Sequence, residues 1–142
     1  MKGVDGRNFV PKKMPWNFNN NTPIYLQIMD HIMLSIAVGE YKAGDKLLPV
    51  RELAAEAEVN PNTMQKALSE LERDGLLYSQ RTSGRFVTDD TEKITALRKN
   101  LATGHIEYFL KKMEELGYSR GAALEALKKY TENEGKGEQD VQ

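Results

Sequence analysis

Apolar residues recur at helical spacing in three successive stretches of the first half of the chain. In the first stretch, isoleucines recur at every fourth position from Ile24 to Ile36, which predicts a helix with one buried face. The same pattern recurs at Val50, Leu53, Ala54 and Ala57, and again at Met64, Ala67, Leu68 and Leu71. This part of the chain therefore predicts amphipathic helices that share a core.

Residues that begin and end helices flank these stretches. Asn60 can accept a hydrogen bond from a first-turn amide, and Pro61 suits the first helical position. Thr22 is expected to cap the first helix in the same way, and Pro49 to begin the second. Gly75 can take the left-handed conformation that follows a helix. Only a short turn separates the second and third helices. This arrangement predicts a helix-turn-helix unit.

The hydrophobic period changes after Gly75. Residues 76–80 and 85–88 have strand-like composition, and a polar loop of Arg81, Thr82, Ser83 and Gly84 joins them. This order predicts a β-hairpin. The predicted fold is mainly α with a small β-hairpin, in which residues 22–89 form a winged helix-turn-helix domain.

Helical periodicity resumes after a linker, where Thr91 is expected to cap a helix. The phase slips at Gly104, which predicts a kink or a restart. After Gly117, Ser119 is expected to cap a last, short helix. Residues 90–131 are predicted to form a two-helix dimerisation segment. Residues 132–142 are predicted to be a disordered tail.

Residues 1–21 show no regular period and predict a mostly disordered arm. We expect Phe9, Trp16 or Phe18 to pack on the domain. Residues 1–13 also lack the apolar core of a signal peptide.

Composition narrows the classes of function. The chain has 142 residues and a net charge of -1, so binding to nucleic acid requires a local positive patch. It has no cysteine, which excludes disulfides and thiolate metal sites and is compatible with a cytoplasmic protein. No apolar run reaches the length of a membrane span.

The two histidines, His31 and His105, lie far apart in the sequence, without a nearby cluster of acids. His31 is expected on a helix surface and His105 partly packed. No metal site, cofactor or enzymatic activity is therefore expected.

The polar face of the third predicted helix is the candidate functional surface. Its start carries amide and hydroxyl side chains with few acids, a composition able to contact base edges. Taken alone, such a face more often belongs to an ordinary solvated helix.

Several motifs carry a resemblance to a known family: residues 44–47, 50–54, 59–68, 71–77 and 84–87. Together they resemble the DNA-binding domain of the GntR family of bacterial transcription regulators. The similarity extends over about residues 15–131, and residues 116–119 resemble the YtrA-type subfamily. One departure is Leu48-Pro49 where the family commonly has Pro-Ser, which removes a helix cap that contributes about 1 kcal/mol.

The resemblance implies double-stranded DNA as a partner. It places the contacts to DNA at Arg51, Asn60, Pro61, Asn62, Thr63, Gln65, Arg81, Thr82, Ser83 and Gly84. Lys66 is expected in addition to position a phosphate. Arg51 is expected to contact a phosphate or a guanine. The alternative for Arg51 is a surface ion pair with Glu52 or Glu56.

The resemblance also implies a homodimer that binds a palindromic operator and usually represses transcription. Its expected interface comprises Leu97, Leu101, Phe109, Leu110, Met113, Leu124 and Leu127. Two alternatives are open: a ligand-responsive regulator with an effector pocket near Tyr108, Tyr118 or Tyr130, and a winged helix that docks protein. No membrane partner is expected.

Overall fold

The computed structural model describes residues 14–141, with side chains up to residue 135, so Phe9 lies outside the described residues. Its elements are α1 (Ile24–Ala37), α2 (Val50–Ala57), α3 (Pro61–Arg73), β1 (Leu77–Gln80), β2 (Gly84–Val87), α4 (Thr91–Glu115) and α5 (Arg120–Val141). The chain forms two compact units that divide after Lys99.

The core of the first unit lies where α3 packs against α1, α2 and β1. Ile28, Leu53 and Met64 are fully buried there, and Leu68 is almost so. The apolar faces predicted for the three helices are therefore confirmed, with Val50 half-buried at the edge. Helical periodicity predicted this core because burial on one face is what stabilises short helices.

The hairpin is antiparallel and pairs Leu77 with Val87 and Gln80 with Gly84. Gly84 therefore belongs to β2, and the loop comprises residues 81–83, which corrects the loop predicted to include it. The sheet also has an isolated bridge between Lys46 and Phe86.

Helix ends agree with the prediction at some positions and differ at others. The Asn60 side chain accepts a hydrogen bond from the Asn62 amide at 2.7 Å, and Ser119 Oγ accepts one from the Ala122 amide at 3.1 Å. Both predicted caps are confirmed. Pro23, not Thr22, occupies the cap position of α1, without a side-chain hydrogen bond.

Two further helix starts shift by one residue. Pro49 precedes α2 and likewise provides no side-chain cap, in agreement with the loss expected from the absent serine. At α4, Asp90 takes the role expected of Thr91, because its carboxylate accepts hydrogen bonds from the amides of Glu92 and Lys93.

The segment before α1 packs on the first unit. The Trp16 ring stacks on His31 at a centroid distance of 3.8 Å, and Trp16 Nε1 donates to Glu56 at 3.3 Å. Phe18 packs beside Trp16, so the packing expected of these two residues is confirmed. His31 is consequently half-buried rather than on the surface, whereas His105 is exposed, and both expectations for the histidines were wrong.

The second unit comprises residues from 100 onwards. Helix α4 runs unbroken through Gly104, so it does not restart there as expected. The turn after α4 includes Gly117 and a hydrogen bond from the Tyr118 amide to the Met113 carbonyl. Helix α5 continues to Val141, beyond the short helix that the sequence predicted.

Among the described residues, no helix is both long enough and apolar enough to cross a membrane.

Candidate nucleic-acid interface

The first turn of α3 presents an exposed polar surface. Asn62, Gln65 and Lys66 are exposed, and Thr63 is half-buried beside them. Asn60 is also exposed, but its Oδ1 is occupied by the capping bond. Pro61 has no donor, so it can contribute apolar contact alone. The residues predicted to read bases therefore lie together on one accessible turn.

Neighbouring residues hold two side chains of this turn. Gln65 Nε2 donates to Ser69 Oγ at 3.0 Å, and Lys66 Nζ lies 4.0 Å from the centroid of the Tyr25 ring. Each would have to exchange or share these contacts on meeting DNA. Asn62, by contrast, makes no side-chain hydrogen bond to another described residue, so its amide is free to pair with a base edge.

Arg51 lies in the first turn of α2 and is exposed. Within the described part of the chain, its guanidinium forms no ion pair, so the alternative of a pair with Glu52 or Glu56 finds no support. An exposed guanidinium without a partner can bind a phosphate or the acceptor edge of guanine.

The wing combines an exposed tip with a tightly held base. Arg81, Thr82 and Ser83 are exposed in the loop. At the base, Arg85 Nε donates to Glu72 Oε1 at 3.1 Å, and Ser79 Oγ donates to the same oxygen at 2.9 Å. The charge of Arg85 is thus balanced by Glu72, and Arg81 supplies the positive charge of the tip.

Tyr78 is a packing residue of the wing, as predicted. Its ring stacks on Phe86 at 5.6 Å, and its hydroxyl donates to Asp89 at 3.1 Å. Desolvation, and then the bond to Asp89, raise the pKa of Tyr78 above its ordinary value. The phenol therefore stays protonated and can donate to Asp89, while its ring packs on Phe86.

A groove of about 520 Å³ separates the wing from the start of α2. Its walls are residues 46–50 on one side and 79–85 on the other. It brings the wing tip close to the segment that precedes Arg51. Lys46 lies in this groove and was not among the predicted site residues, although the extended character of residues 46–48 was a signal of its place beside the hairpin.

The predicted dimer-interface residues divide by exposure. Leu97, Leu101, Phe109, Leu110 and Met113 are half-buried, and Leu97 also packs against the core of the first unit. Leu124 and Leu127 are 52% and 45% exposed. Ile106 and Leu116, which were not predicted, are exposed as well. Tyr108, Tyr118 and Tyr130 are all exposed, so an effector pocket beside them stays a prediction.

Within the described residues, no group of three or more potential ligands could hold a metal ion.

Three packed helices, a hairpin wing and an accessible polar turn define a winged helix-turn-helix DNA-binding domain. The family described as "Bacterial regulatory proteins, gntR family" matches residues 24–87. The regulator YhcF of Bacillus subtilis is 41% identical over 115 residues, covering 81% of this chain and 95% of YhcF. The chain belongs to the GntR family of bacterial transcription regulators.

Other similar proteins support this assignment. The transcriptional repressor YtrA of B. subtilis is 38% identical over 88 residues, covering 58% of this chain and 68% of YtrA. A GntR-family regulator from Listeria monocytogenes has a TM-score of 0.73 and 41% identity, covering 79% of this chain and 98% of that one. These proteins are transcription regulators and not enzymes, and the resemblance to the YtrA type is thereby confirmed.

Proposed function

We propose that this DNA-binding regulator is a homodimeric repressor that binds a palindromic operator. The observation that carries the proposal is the capped, accessible first turn of α3, which lies on the same unit as the exposed Arg51. The similar YtrA of B. subtilis is named a transcriptional repressor.

Direct contacts to bases are assigned to three side chains. Asn62 and Gln65 have amides that match the paired donor and acceptor of adenine, and Arg51 matches guanine. Thr63 donates to a phosphate or touches a thymine methyl, and Lys66 contacts a phosphate.

The wing has a supporting role in this proposal. Arg81 provides charge toward the DNA backbone, and Thr82, Ser83 and Gly84 bring the main chain close to it. Contacts of this kind fix the position of the protein on the duplex but carry little sequence information.

The exposed apolar side chains of the second unit support the proposal of a dimer. Leu116 is 74% exposed and Leu124 is 52% exposed. A second copy would cover such residues, and two-fold pairing would present two α3 helices to successive turns of DNA. The operator is therefore expected to contain inverted half-sites.

Selection of bound duplexes from a random pool by the full chain tests this function. We expect enrichment of an inverted repeat with a fixed spacing, and a promoter that overlaps the selected site should be silenced in a reporter assay. Enrichment of an asymmetric site would overturn the palindrome. Failure to enrich any duplex would favour the protein-docking alternative.

Substitution of Arg51 tests the assignment within the site. Arg51→Ala should weaken binding to the selected duplex by about 1–3 kcal/mol, because a charge-assisted contact to the DNA is lost. Gel-shift titration measures the change. Arg73→Ala is the matched control, since Arg73 pairs with Glu70 at 3.3 Å at the far end of α3. Equal losses for the two variants would contradict the assignment.

A further inference from the structure

Main-chain bonds on both sides of Lys46 fix its position beside the wing. The Leu47 amide donates to the Arg85 carbonyl at 2.9 Å, and the Val87 amide donates to the Asp45 carbonyl at 2.8 Å. Lys46 itself forms a bridge with Phe86. The residue is therefore held against β2 as the start of a third, very short strand.

The Lys46 side chain crosses the base of the wing at Gly84. A Cβ built on Gly84 would lie 3.2 Å from Lys46 Cε, which is closer than carbon atoms normally approach. Gly84 also has a φ of +108°, which few residues other than glycine adopt. A glycine at this position therefore leaves room for the lysine stem to run along the groove.

The groove is positive, although the whole chain has a net charge of -1. Its lining includes Lys46, Arg81 and Arg85 and contains no acidic residue. Glu72, on α3, balances the charge of Arg85. Lys46 and Arg81 form no ion pair with any residue that the structure describes, so their charges remain available.

We propose that Lys46 is a further DNA contact, whose ammonium group binds a backbone phosphate of the strand that lies along this groove. The inference rests on the proposed binding of DNA by the wing and α3. A phosphate is the expected ligand because lysine carries a compact charge on a flexible stem, without the planar donor pair that suits base edges. The contact anchors the strand between the wing tip and Arg51.

The salt dependence of binding tests this contact. Log affinity falls as log salt rises, and Lys46→Gln should make this dependence shallower by about 0.9 in slope. The change corresponds to roughly an eightfold loss of affinity near 0.1 M salt. The loss should be the same on the selected duplex and on a scrambled one, because a phosphate carries no sequence information. Lys46→Arg should restore the slope.

Lys42→Gln is the matched control. Lys42 precedes Lys46 in the same loop but lines a different depression, beside Tyr41 and Thr91. Its substitution should leave the slope unchanged. If the unaltered protein binds no duplex, the proposed function is wrong. If it binds and Lys46→Gln keeps both slope and affinity, the inference about Lys46 is overturned.

A second measurement uses the unaltered protein, in case Lys46→Gln fails to fold. Acetylation of lysines by a small amine-reactive reagent, read by mass spectrometry, should show Lys46 protected when the selected duplex is bound. Lys42 should be modified at the same rate with and without DNA. Equal modification of Lys46 in the two conditions would contradict the proposal.

Discussion

Asn60 shows how one side chain contributes to both fold and site. Its Oδ1 accepts the Asn62 amide at 2.7 Å and thereby holds the first turn of α3. The capping oxygen is engaged, so Nδ2 is the group that remains for DNA. The residue thus orients the turn that carries Asn62 and Gln65 more than it reads bases itself.

Replacing Asn60 should therefore lower stability. Asn60→Ala is expected to reduce the free energy of unfolding by about 1 kcal/mol, whereas Asn60→Asp should retain it. Urea denaturation measures the change. Asn62→Ala serves as the control, because its side chain is exposed and should alter stability by less than about 0.5 kcal/mol. Similar losses at the two positions would show that the cap is not the cause.

At the scale of elements, Glu72 joins the recognition helix α3 to the wing. Glu72 accepts hydrogen bonds from Ser79 and Arg85, and Glu70 pairs with Arg73. The angle between α3 and the hairpin is thus supported by a polar cluster as well as by packing of β1 on α3.

A double-mutant cycle with Glu72→Gln and Arg85→Gln should reveal this link. We expect a coupling of about 0.5–1 kcal/mol in the free energy of unfolding, because the Arg85 side chain is 16% exposed and thus partly shielded from solvent. The comparison cycle uses Glu70 and Arg73, a more exposed pair that should couple by less than about 0.5 kcal/mol. Equal coupling in the two cycles would contradict a special role for Glu72.

The helices were predictable because their periodicity reports which face is buried, and Met64 to Leu71 show this clearly. The bounds of the hairpin shifted because the pairing of Gly84 with Gln80 depends on register, which local composition does not determine. At α4, a carboxylate outcompetes the neighbouring hydroxyl at the positive helix end, so Asp90 replaces Thr91 as the cap.

The candidate site was predictable as a surface but not as a set of contacts. Exposure of Asn62 and Gln65 follows from the buried face opposite them. The pair of Arg85 with Glu72, the place of Lys46 and the stack of Trp16 on His31 join residues distant in sequence. No local pattern encodes such partners, since tertiary packing selects them.

At the scale of the whole molecule, the second unit exposes several large apolar side chains. Ile106, Leu116 and Tyr130 are 57%, 74% and 67% exposed. Ala123, near the start of α5, is buried. Large apolar side chains exposed on one unit are candidates for a surface that another chain covers.

Introduction of negative charge on this surface should separate dimerisation from folding. Leu124→Glu combined with Leu127→Glu should yield a monomer by sedimentation equilibrium, because the four carboxylates buried at the dimer seam, two from each chain, would lack partners. Both leucines lie in the second unit and are about half exposed in the single chain. The first unit should therefore stay folded and keep its helix content. Affinity for an inverted repeat should fall at least tenfold, since each α3 would then bind without the effective concentration that a linked partner provides.

Lys129→Glu, on an exposed part of α5, should leave association unchanged. A double variant that remains dimeric would place the interface elsewhere, and an unaltered protein that sediments as a monomer at micromolar concentration would exclude the homodimer itself.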